Sequence, residues 1–224
     1  MRDQVSGVLD PSAQAKATKA MLRSTETMVQ MSKTYLSLSR VENGELRLQL
    51  FPCRLYEDII RPAAEMMEQR LQERKIRLRL DDEASLKDAT LDLDVALMRV
   101  VYMNLLDNAI KYGRIGGEIV CGHSENDQSH RLSVWNDGDG IPADKLDLVF
   151  EKFVRIGIAE GGSGLGLFNT KTIVERHGGT IRAESEEGER VNFVILFPRK
   201  MAPGDESGEA SPGNAEGRAP SEQA

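Results

Sequence analysis

NLLDNAIKY, residues Asn104–Tyr112, is the stretch that decides the fold of this chain. Asn104, Asn108 and Lys111 recur at positions i, i+4 and i+7, and Tyr112 follows, so on a helix the four side chains share one stripe. The other faces are almost wholly apolar, which predicts a helix packed on a sheet. An amide buried without a partner costs about 1–3 kcal/mol, so we expect the stripe to face a polar ligand. The apolar residues are Met98, Leu105, Leu106, Ala109 and Ile110.

Composition excludes several classes of protein. The chain has 224 residues, 40% of them hydrophobic and 29% charged, which is typical of one sizeable globular core. Its net charge of −7 argues against binding of nucleic acid, because nucleic-acid surfaces are normally basic. Cys53 and Cys121 lack metal-ligand spacing and indicate a reducing compartment. We find no run of about 18 apolar residues and no signal-peptide pattern, so we expect a cytoplasmic location and no membrane segment in this chain.

Hydrophobic periodicity divides the chain into three regions, residues 1–42, 43–200 and 201–224. In the first, apolar residues from Pro11 to Arg40 alternate spacings of three and four, which predicts a long helix with a heptad seam. We expect this helix to lie in a helical bundle, and packing on the following domain is the alternative. The third region is rich in Gly, Pro, Ser and Glu and is predicted to be a disordered acidic tail.

The middle region alternates strand and helix patterns. The asparagine helix should begin after Asp94, as its N-cap, and end at Gly113. Strands that neighbour one another in sequence favour an α+β fold, a two-layer α/β sandwich, over a doubly wound sheet. The predicted strands are Leu46–Leu50, Ile76–Leu80, Ala89–Leu91, Glu118–Gly122, Arg131–Asn136, Ile181–Ala183 and Val191–Phe197, and the other predicted helices are Leu55–Lys75 and Leu165–Arg176.

Two glycine-rich segments carry further candidate residues. NDGDGIP, residues 136–142, follows a strand, and its glycines permit a tight turn against a bulky group, although glycine pairs also form plain hairpins. Strand alternation points Asn136 toward the core and Asp137 away from it. GGSGLGL, residues 161–167, leads into a helix whose first N–H groups and dipole can receive phosphate oxygens. It lacks the endings of a P-loop and of a dinucleotide fingerprint, so alone it is a weak signal.

A third segment, FEKFVR, spans Phe150–Arg155. We expect its two rings, Phe150 and Phe153, to pack on the core from one helical turn. The cations Lys152 and Arg155 are better placed to contact phosphates.

In order and spacing, the four segments resemble the ATP-binding boxes of the GHKL superfamily, and most closely those of sensor histidine kinases of two-component systems. NLLDNAIKY resembles the N box, NDGDGIP and GGSGLGL the two glycine boxes, and FEKFVR the phenylalanine box. Leu36–Leu48 is similar to the end of the second dimerisation helix, and Val174–Ile181 to the last helix and strand of the catalytic domain. The resemblance implies a Bergerat-type two-layer α/β sandwich with a mixed sheet, preceded by one long helix of a dimerisation hairpin.

The resemblance also implies ATP and Mg²⁺ as cofactors. Asn108, helped by Asn104, would hold the metal through carbonyl oxygens, which suit a hard cation. Lys111 would contact phosphate, Tyr112 would pack on the nucleotide, and Ile156–Gly162 would form the ATP lid. The implied catalytic residues are Asn104, Asn108, Lys111 and Arg155. The implied nucleotide-binding residues are Asn108, Lys111, Tyr112, Asn136, Asp137, Gly138, Gly140, Ile141, Phe150, Lys152, Phe153, Arg155, Gly162, Ser163, Gly164, Leu165, Gly166 and Leu167.

Two departures from the family pattern affect function. The family usually has Asp where this chain has Asn136, which predicts weaker adenine binding than an Asn136→Asp variant would show. The phosphoacceptor histidine of the family lies on a helix before the heptad region, and this chain starts after it. His177 is predicted at a helix end, and His123 and His130 beside a polar hairpin and exposed to solvent. We therefore expect phosphorylation only in trans and no autophosphorylation in cis.

The residue at position 104 separates the candidate activities. Related ATPases and serine kinases of the superfamily place a Glu there as general base, and the carboxamide of Asn104 cannot take a proton. The resemblance therefore implies transfer of the ATP γ-phosphoryl group to a histidine that this chain lacks, rather than hydrolysis. Implied partners are the acceptor hairpin of a full-length kinase, a response regulator and a second copy in the intact protein. The alternative is a non-catalytic nucleotide-binding or helix-pairing fragment that modulates an intact kinase.

Overall fold

The structure is a computed structural model that describes Thr18 and residues 48–156 and 163–199. Thr18 is helical and exposed. The rest of the predicted heptad helix, Pro11–Arg40, lies outside the described residues, as do the predicted tail and the ATP lid beyond Ile156. Within the described residues, no helix combines the length and the apolar character needed to cross a membrane.

Within residues 48–156 and 163–199, seven strands form two sheets. They are β1 (Phe51–Arg54), β2 (Arg77–Asp81), β3 (Thr90–Leu93), β4 (Glu118–Glu125), β5 (Ser129–Asp137), β6 (Thr180–Glu186) and β7 (Arg190–Pro198). The main sheet has the order β2-β4-β5-β7-β6, in which β2 and β4 are parallel and every other neighbouring pair is antiparallel. Strands β1 and β3 pair separately as a two-stranded antiparallel sheet.

The helices form the second layer. They are α1 (Arg61–Glu73), entered through a π-helical turn at Leu55–Ile60, then α2 (Glu83–Asp88), α3 (Val95–Tyr112) and α4 (Gly166–Arg176). The asparagine helix α3 begins and ends as predicted, because the Asp94 carboxylate accepts from Leu97 N at 3.2 Å and Gly113 follows the last turn.

The core lies between the sheet and the helices. The apolar face of α3 is fully buried, including Met98 and Leu105, and it packs on the sheet face that carries Cys121 and Val134. These two residues are paired across β4 and β5, so both point to the same side. The predicted two-layer sandwich with a mixed sheet is therefore confirmed.

One local prediction was wrong, and one helix was missed. The strand predicted at Leu46–Leu50 is absent from the described part, Leu48–Leu50, and the chain pairs only from Phe51 onward because the buried Cys53 sets the register opposite Leu91. The helix α2 was not predicted, because six residues are too few to show a period. It is nucleated by Asp82, whose side chain accepts from Ser85 N at 3.1 Å.

Candidate nucleotide-binding site

The polar stripe predicted on α3 is present. Asn104, Asn108, Lys111 and Tyr112 are all half-buried, while the apolar face of the helix is buried and the adjacent Asp107 is half-buried. This partial exposure leaves the four side chains at the edge of the core, where a ligand can reach them.

Asn104 connects the stripe to the helix that follows the second glycine box. Its Nδ2 donates to the carbonyl oxygen of Gly166 at 3.1 Å, and the buried Thr170 hydroxyl donates to the same oxygen at 2.9 Å. Among the described residues, no side chain caps the N-terminus of α4, whose first N–H groups have no acceptor within the helix. The stripe and the start of α4 therefore lie side by side, and binding of phosphate by Gly166 and Leu167 stays a prediction.

Asp107 is a member of the site that the sequence analysis missed. Its carboxylate forms an ion pair with Lys111 Nζ at 2.5 Å and also contacts Arg70 of α1. Asp107 lies four residues before Lys111, a spacing that already indicates a helical ion pair. The predicted phosphate ligand Lys111 is thus held in place by an acidic neighbour.

The first glycine box packs against the C-terminal end of α3. A Cβ at Gly138 would lie 2.3 Å from the carbonyl oxygen of Tyr112, so only glycine fits this approach. Arg74 donates to the carbonyl oxygens of Gly113 at 2.9 Å and Lys111 at 3.3 Å, which satisfies the end of the helix. The packing fixes the β5 end relative to the stripe.

Asn136 and Asp137 point to opposite faces of β5, as predicted. Asn136 is 2% exposed and lies on the helix side, where its Nδ2 donates to the Asp137 carbonyl oxygen at 2.9 Å. The Asp137 carboxylate accepts from Glu118 N at 3.1 Å at the start of β4. The structure therefore brings Asn136 to the site, whereas the Asp137 side chain stabilises the neighbouring strand.

Gly140 and Ile141 lie beside the β6–β7 hairpin. Gly140 has φ +71°, and a Cβ there would lie 2.4 Å from the Glu186 carbonyl oxygen. Ile141 N donates to Ser185 Oγ at 2.7 Å. The second half of the glycine box is thereby anchored to β6, and the partly buried Ile141 packs against the core.

The two phenylalanines of FEKFVR differ. Phe150 is buried and packs edge-to-face on Phe193, with ring centroids 6.2 Å apart. Phe153 is 71% exposed and has φ +65°, so the prediction that both rings pack on the core from a helical turn was wrong for Phe153. The short 3₁₀ turn ends at Phe150, and Phe153 N donates to the Gly164 carbonyl oxygen at 3.0 Å. This bond closes the base of the segment that contains the predicted lid.

One cation of this segment, Lys152, lies near the start of α4. The Lys152 ammonium stands 4.6 Å above the ring of Phe168, a residue in the first turn of that helix. Arg155 is exposed. Of the second glycine box, Ser163 to Leu167 are described and Ser163 Oγ accepts from Leu165 N at 3.3 Å, whereas Gly162 lies outside the described residues.

His177 lies at the C-terminal end of α4, as predicted, whereas the other two histidines differ from their predicted settings. His123 is buried and stacks on His130 with ring centroids 5.6 Å apart, so the prediction that both are exposed to solvent was wrong. The strands extend to Glu125 and from Ser129, which draws both rings into the sheet. His177 accepts from Asp94 N through Nε2 at 3.0 Å, and its Nδ1 lies 2.8 Å from the Ile173 carbonyl oxygen. His177 thus joins the end of α4 to the start of α3.

Comparison with known proteins identifies the same domain. The family described as Histidine kinase-, DNA gyrase B-, and HSP90-like ATPase matches residues 93–201. The alginate biosynthesis sensor protein KinB of Pseudomonas aeruginosa is 32% identical over 171 residues, which cover 76% of this chain and 28% of KinB. The sensor protein SrrB of Staphylococcus aureus is 38% identical over 110 residues, or 47% of this chain and 19% of SrrB. The chain therefore spans less than a third of these relatives.

A solved histidine kinase shares the fold. Full-length ShkA, crystallised in complex with AMPPNP, superposes with a TM-score of 0.69 and 25% identity over 83% of this chain and 39% of ShkA. The matching family model, the two relatives and the shared fold all agree with the resemblance that the four sequence segments indicated. This chain contains the ATP-binding catalytic domain of a sensor histidine kinase.

Proposed function

We propose that this domain binds Mg·ATP and transfers the γ-phosphoryl group to a histidine of a separate acceptor hairpin in a two-component pathway. The single observation that carries the proposal is the hydrogen bond from Asn104 to Gly166 O. It brings the amide stripe of α3 and the uncapped N-terminus of α4 to the same place. The proposed metal ligands and the proposed anion site would thereby be adjacent, as a triphosphate requires.

The donor set fits Mg²⁺. Asn104 uses its Nδ2 toward Gly166 O and Thr170 Oγ1, so α4 does not need its carbonyl oxygen. Asn108 offers a second amide one helical turn further along, and it is half-buried. Amide oxygens are hard ligands of the kind that this ion takes. When bound, the ion would neutralise charge on the phosphates.

The remaining residues have separable roles. Lys111 would exchange its Asp107 partner for a phosphate oxygen, and Lys152, above Phe168, would add positive charge at the end of α4. Tyr112 and Ile141 would pack on the nucleotide. Asn136 would accept from the adenine amine through its carbonyl oxygen, because its Nδ2 is already bonded to Asp137 O.

The acceptor lies outside the described histidines. His177 has both ring nitrogens engaged, and His130 lies six residues along β5 from Asn136, about 20 Å away. In the transfer, the bond from the γ-phosphorus to the β–γ bridging oxygen breaks and a bond to the acceptor imidazole nitrogen forms. An imidazole brings its own nucleophilic lone pair, so the site needs no carboxylate base at Asn104.

A response-regulator aspartate would be the next recipient of the phosphoryl group. The intact kinase would act as a dimer, and the reaction would take place in the cytosol.

The first test measures nucleotide binding. Titrating the full chain with ATP and Mg²⁺ in a calorimeter should show one site. Asn108→Ala should weaken ATP binding by roughly tenfold or more and remove its dependence on Mg²⁺. Gln69→Ala, which changes an exposed amide on α1, should leave the affinity unchanged. Equal affinities for the two variants would refute the assignment of Asn108.

The second test measures transfer. The chain is incubated with γ-labelled ATP and a separately supplied histidine hairpin from a full-length sensor kinase. Acid-labile label on the hairpin, dependent on Asn108, would support the proposed activity. ATP binding with no label on the hairpin would overturn the transferase activity and favour the alternative, a nucleotide-binding fragment that modulates an intact kinase.

A further inference from the structure

Two histidines and a glutamate meet at the end of the sheet remote from the nucleotide site. Glu125 lies opposite His130 across the β4–β5 hairpin, and His123 lies two residues before Glu125, so all three point to one face. One ligand atom from each lies within 4.8 Å of the other two. We refer to His123, Glu125 and His130 as the histidine cluster. The proposed phosphoryl transfer uses none of them.

The spacing of the ligand atoms matches a tetrahedral metal site. His130 Nδ1 lies 3.3 Å from His123 Nε2 and 3.3 Å from Glu125 Oε2. Two nitrogens bound to one tetrahedral zinc at 2.0–2.1 Å are separated by about 3.3–3.4 Å. Two of the three distances between ligand atoms therefore already have the length that such an ion requires. The third distance joins His123 Nε2 to the Glu125 carboxylate, and the half-exposed Glu125 side chain can move to shorten it.

Ser85 orients one of the imidazoles. Its hydroxyl lies 3.0 Å from His123 Nδ1 and donates to the His123 carbonyl oxygen at 3.3 Å. The hydroxyl oxygen can therefore accept from Nδ1–H, and we assign that tautomer to His123. The lone pair of Nε2 then points at the cluster. Imidazoles that bind metals are commonly held in this way by a hydrogen bond to the other ring nitrogen.

Burial of the two imidazoles also fits a bound cation, whereas one nearby positive charge opposes it. His123 is 7% exposed, and the His130 side chain is 14% exposed. The positive charge that opposes a bound cation is that of Arg199, whose Nη1 lies 4.0 Å from Glu125 Oε2. Its removal should leave the carboxylate more available to an ion.

We propose that the histidine cluster binds one divalent transition-metal ion of the zinc type. The ligands are His123 Nε2, His130 Nδ1 and a carboxylate oxygen of Glu125, and water takes the fourth position. Two imidazoles and one carboxylate are a donor set that zinc accepts, whereas Mg²⁺ prefers oxygen ligands alone. The ion would connect α2, through Ser85 and His123, to the β4–β5 hairpin.

The test titrates Zn²⁺ into the untagged full chain by calorimetry without nucleotide or Mg²⁺. One ion per chain is expected. Glu125→Gln and His130→Ala should each weaken binding by roughly tenfold or more. The matched control is Asp127→Asn, which neutralises an exposed carboxylate in the same turn and should leave the affinity unchanged. Arg199→Gln should tighten binding by roughly two- to fivefold, an effect that impaired folding cannot produce.

Co²⁺ provides a second readout. Its visible absorption should show the intensity of a tetrahedral site in the wild-type chain, and this signal should be lost in His130→Ala. The proposal is overturned if no stoichiometric binding occurs, or if Asp127→Asn weakens binding as much as Glu125→Gln. Loss of zinc binding in Asn108→Ala would also overturn it, because the ion would then occupy the nucleotide site. ATP binding is measured in parallel, so failure of the proposed kinase function is distinguishable from failure of the zinc site.

Discussion

Asn104 and Gly166 are joined by a hydrogen bond of 3.1 Å across a sequence separation of 62 residues. The donor is the side-chain amide in the middle of α3, and the acceptor is the first carbonyl of α4. Thr170 donates to the same oxygen. The bond explains why this domain carries a carboxamide at position 104. A carboxylate there would face the Gly166 carbonyl oxygen and Thr170 Oγ1 without an N–H group to donate to them.

Asn104→Asp is therefore expected to destabilise the domain. The variant loses the donor to Gly166 O, and we expect the free energy of unfolding to fall by about 1–3 kcal/mol, measured by urea denaturation. Asn126→Asp is the control, because Asn126 Oδ1 only accepts, from the N–H groups of Gln128 and Ser129, and aspartate preserves this role. Similar losses in both variants would contradict the importance of the Asn104 donor.

Lys111→Gln should separate phosphate recognition from adenine recognition. The variant removes the cation that would bind phosphate but leaves Asp107 paired with Arg70. ATP affinity should fall by roughly tenfold or more, and adenosine affinity should not change. Calorimetry with both ligands measures this difference. Lys87→Gln, on the exposed side of α2, serves as the charge-matched control. Equal losses for ATP and adenosine would show that Lys111 acts through the fold.

Asn136→Asp should change stability and binding in opposite directions. The side chain is 2% exposed, and its Nδ2 donates to Asp137 O. Aspartate buries a charge and loses that donor, so the melting temperature without ligand should fall. ADP affinity should rise, because a carboxylate accepts more strongly than an amide from the adenine amine. Unchanged or poorer ADP binding would count against adenine recognition by Asn136.

Gly140→Ala tests the anchoring of the first glycine box. Gly188→Ala is a matched control, because both glycines have positive φ, +71° and +80°, but only at Gly140 would a Cβ meet backbone, 2.4 Å from Glu186 O. Strain alone should cost Gly188→Ala about 1–2 kcal/mol of unfolding free energy. Gly140→Ala should lose at least about 1 kcal/mol more and also lose ADP affinity. Equal losses would mean that the close contact has no energetic role.

Long periodic segments were predictable from the sequence. The helix α3 carries its apolar period over 18 residues and has an N-cap and a terminal glycine, so both its limits and its polar stripe were predicted correctly. The strands from β4 onward were found for the same reason, since alternation marks the side that faces the core. These features depend on neighbours in sequence, which a single chain displays directly.

Contacts between distant segments were not predictable. The partner of Asn104, the Arg70 contact of Asp107 and the role of His177 each depend on residues brought together only by the fold. Phe153 is exposed because Gly164 holds its backbone. His123 is buried partly because α2, too short to show a period, supplies Ser85 above it.

The last prediction concerns the pH dependence of stability at His177. Burial, the largest cause, lowers the pKa of His177, although the Ile173 carbonyl and the Asp94 carboxylate act in the opposite direction. The folded pKa is therefore below the unfolded value of about 6.5, and the unfolded chain binds more protons in that interval.

Stability should consequently fall as the pH falls below about 6.5, and the loss should level off below the folded pKa. His177→Gln removes this titration, so its free energy of unfolding should depend less on pH between about 7 and 5 than that of the wild type. Urea denaturation at several pH values measures both curves. His123 and His130 titrate in both proteins, so their contributions cancel when the two curves of unfolding free energy against pH are subtracted. Parallel curves would show that His177 is protonated equally in the folded and unfolded chains.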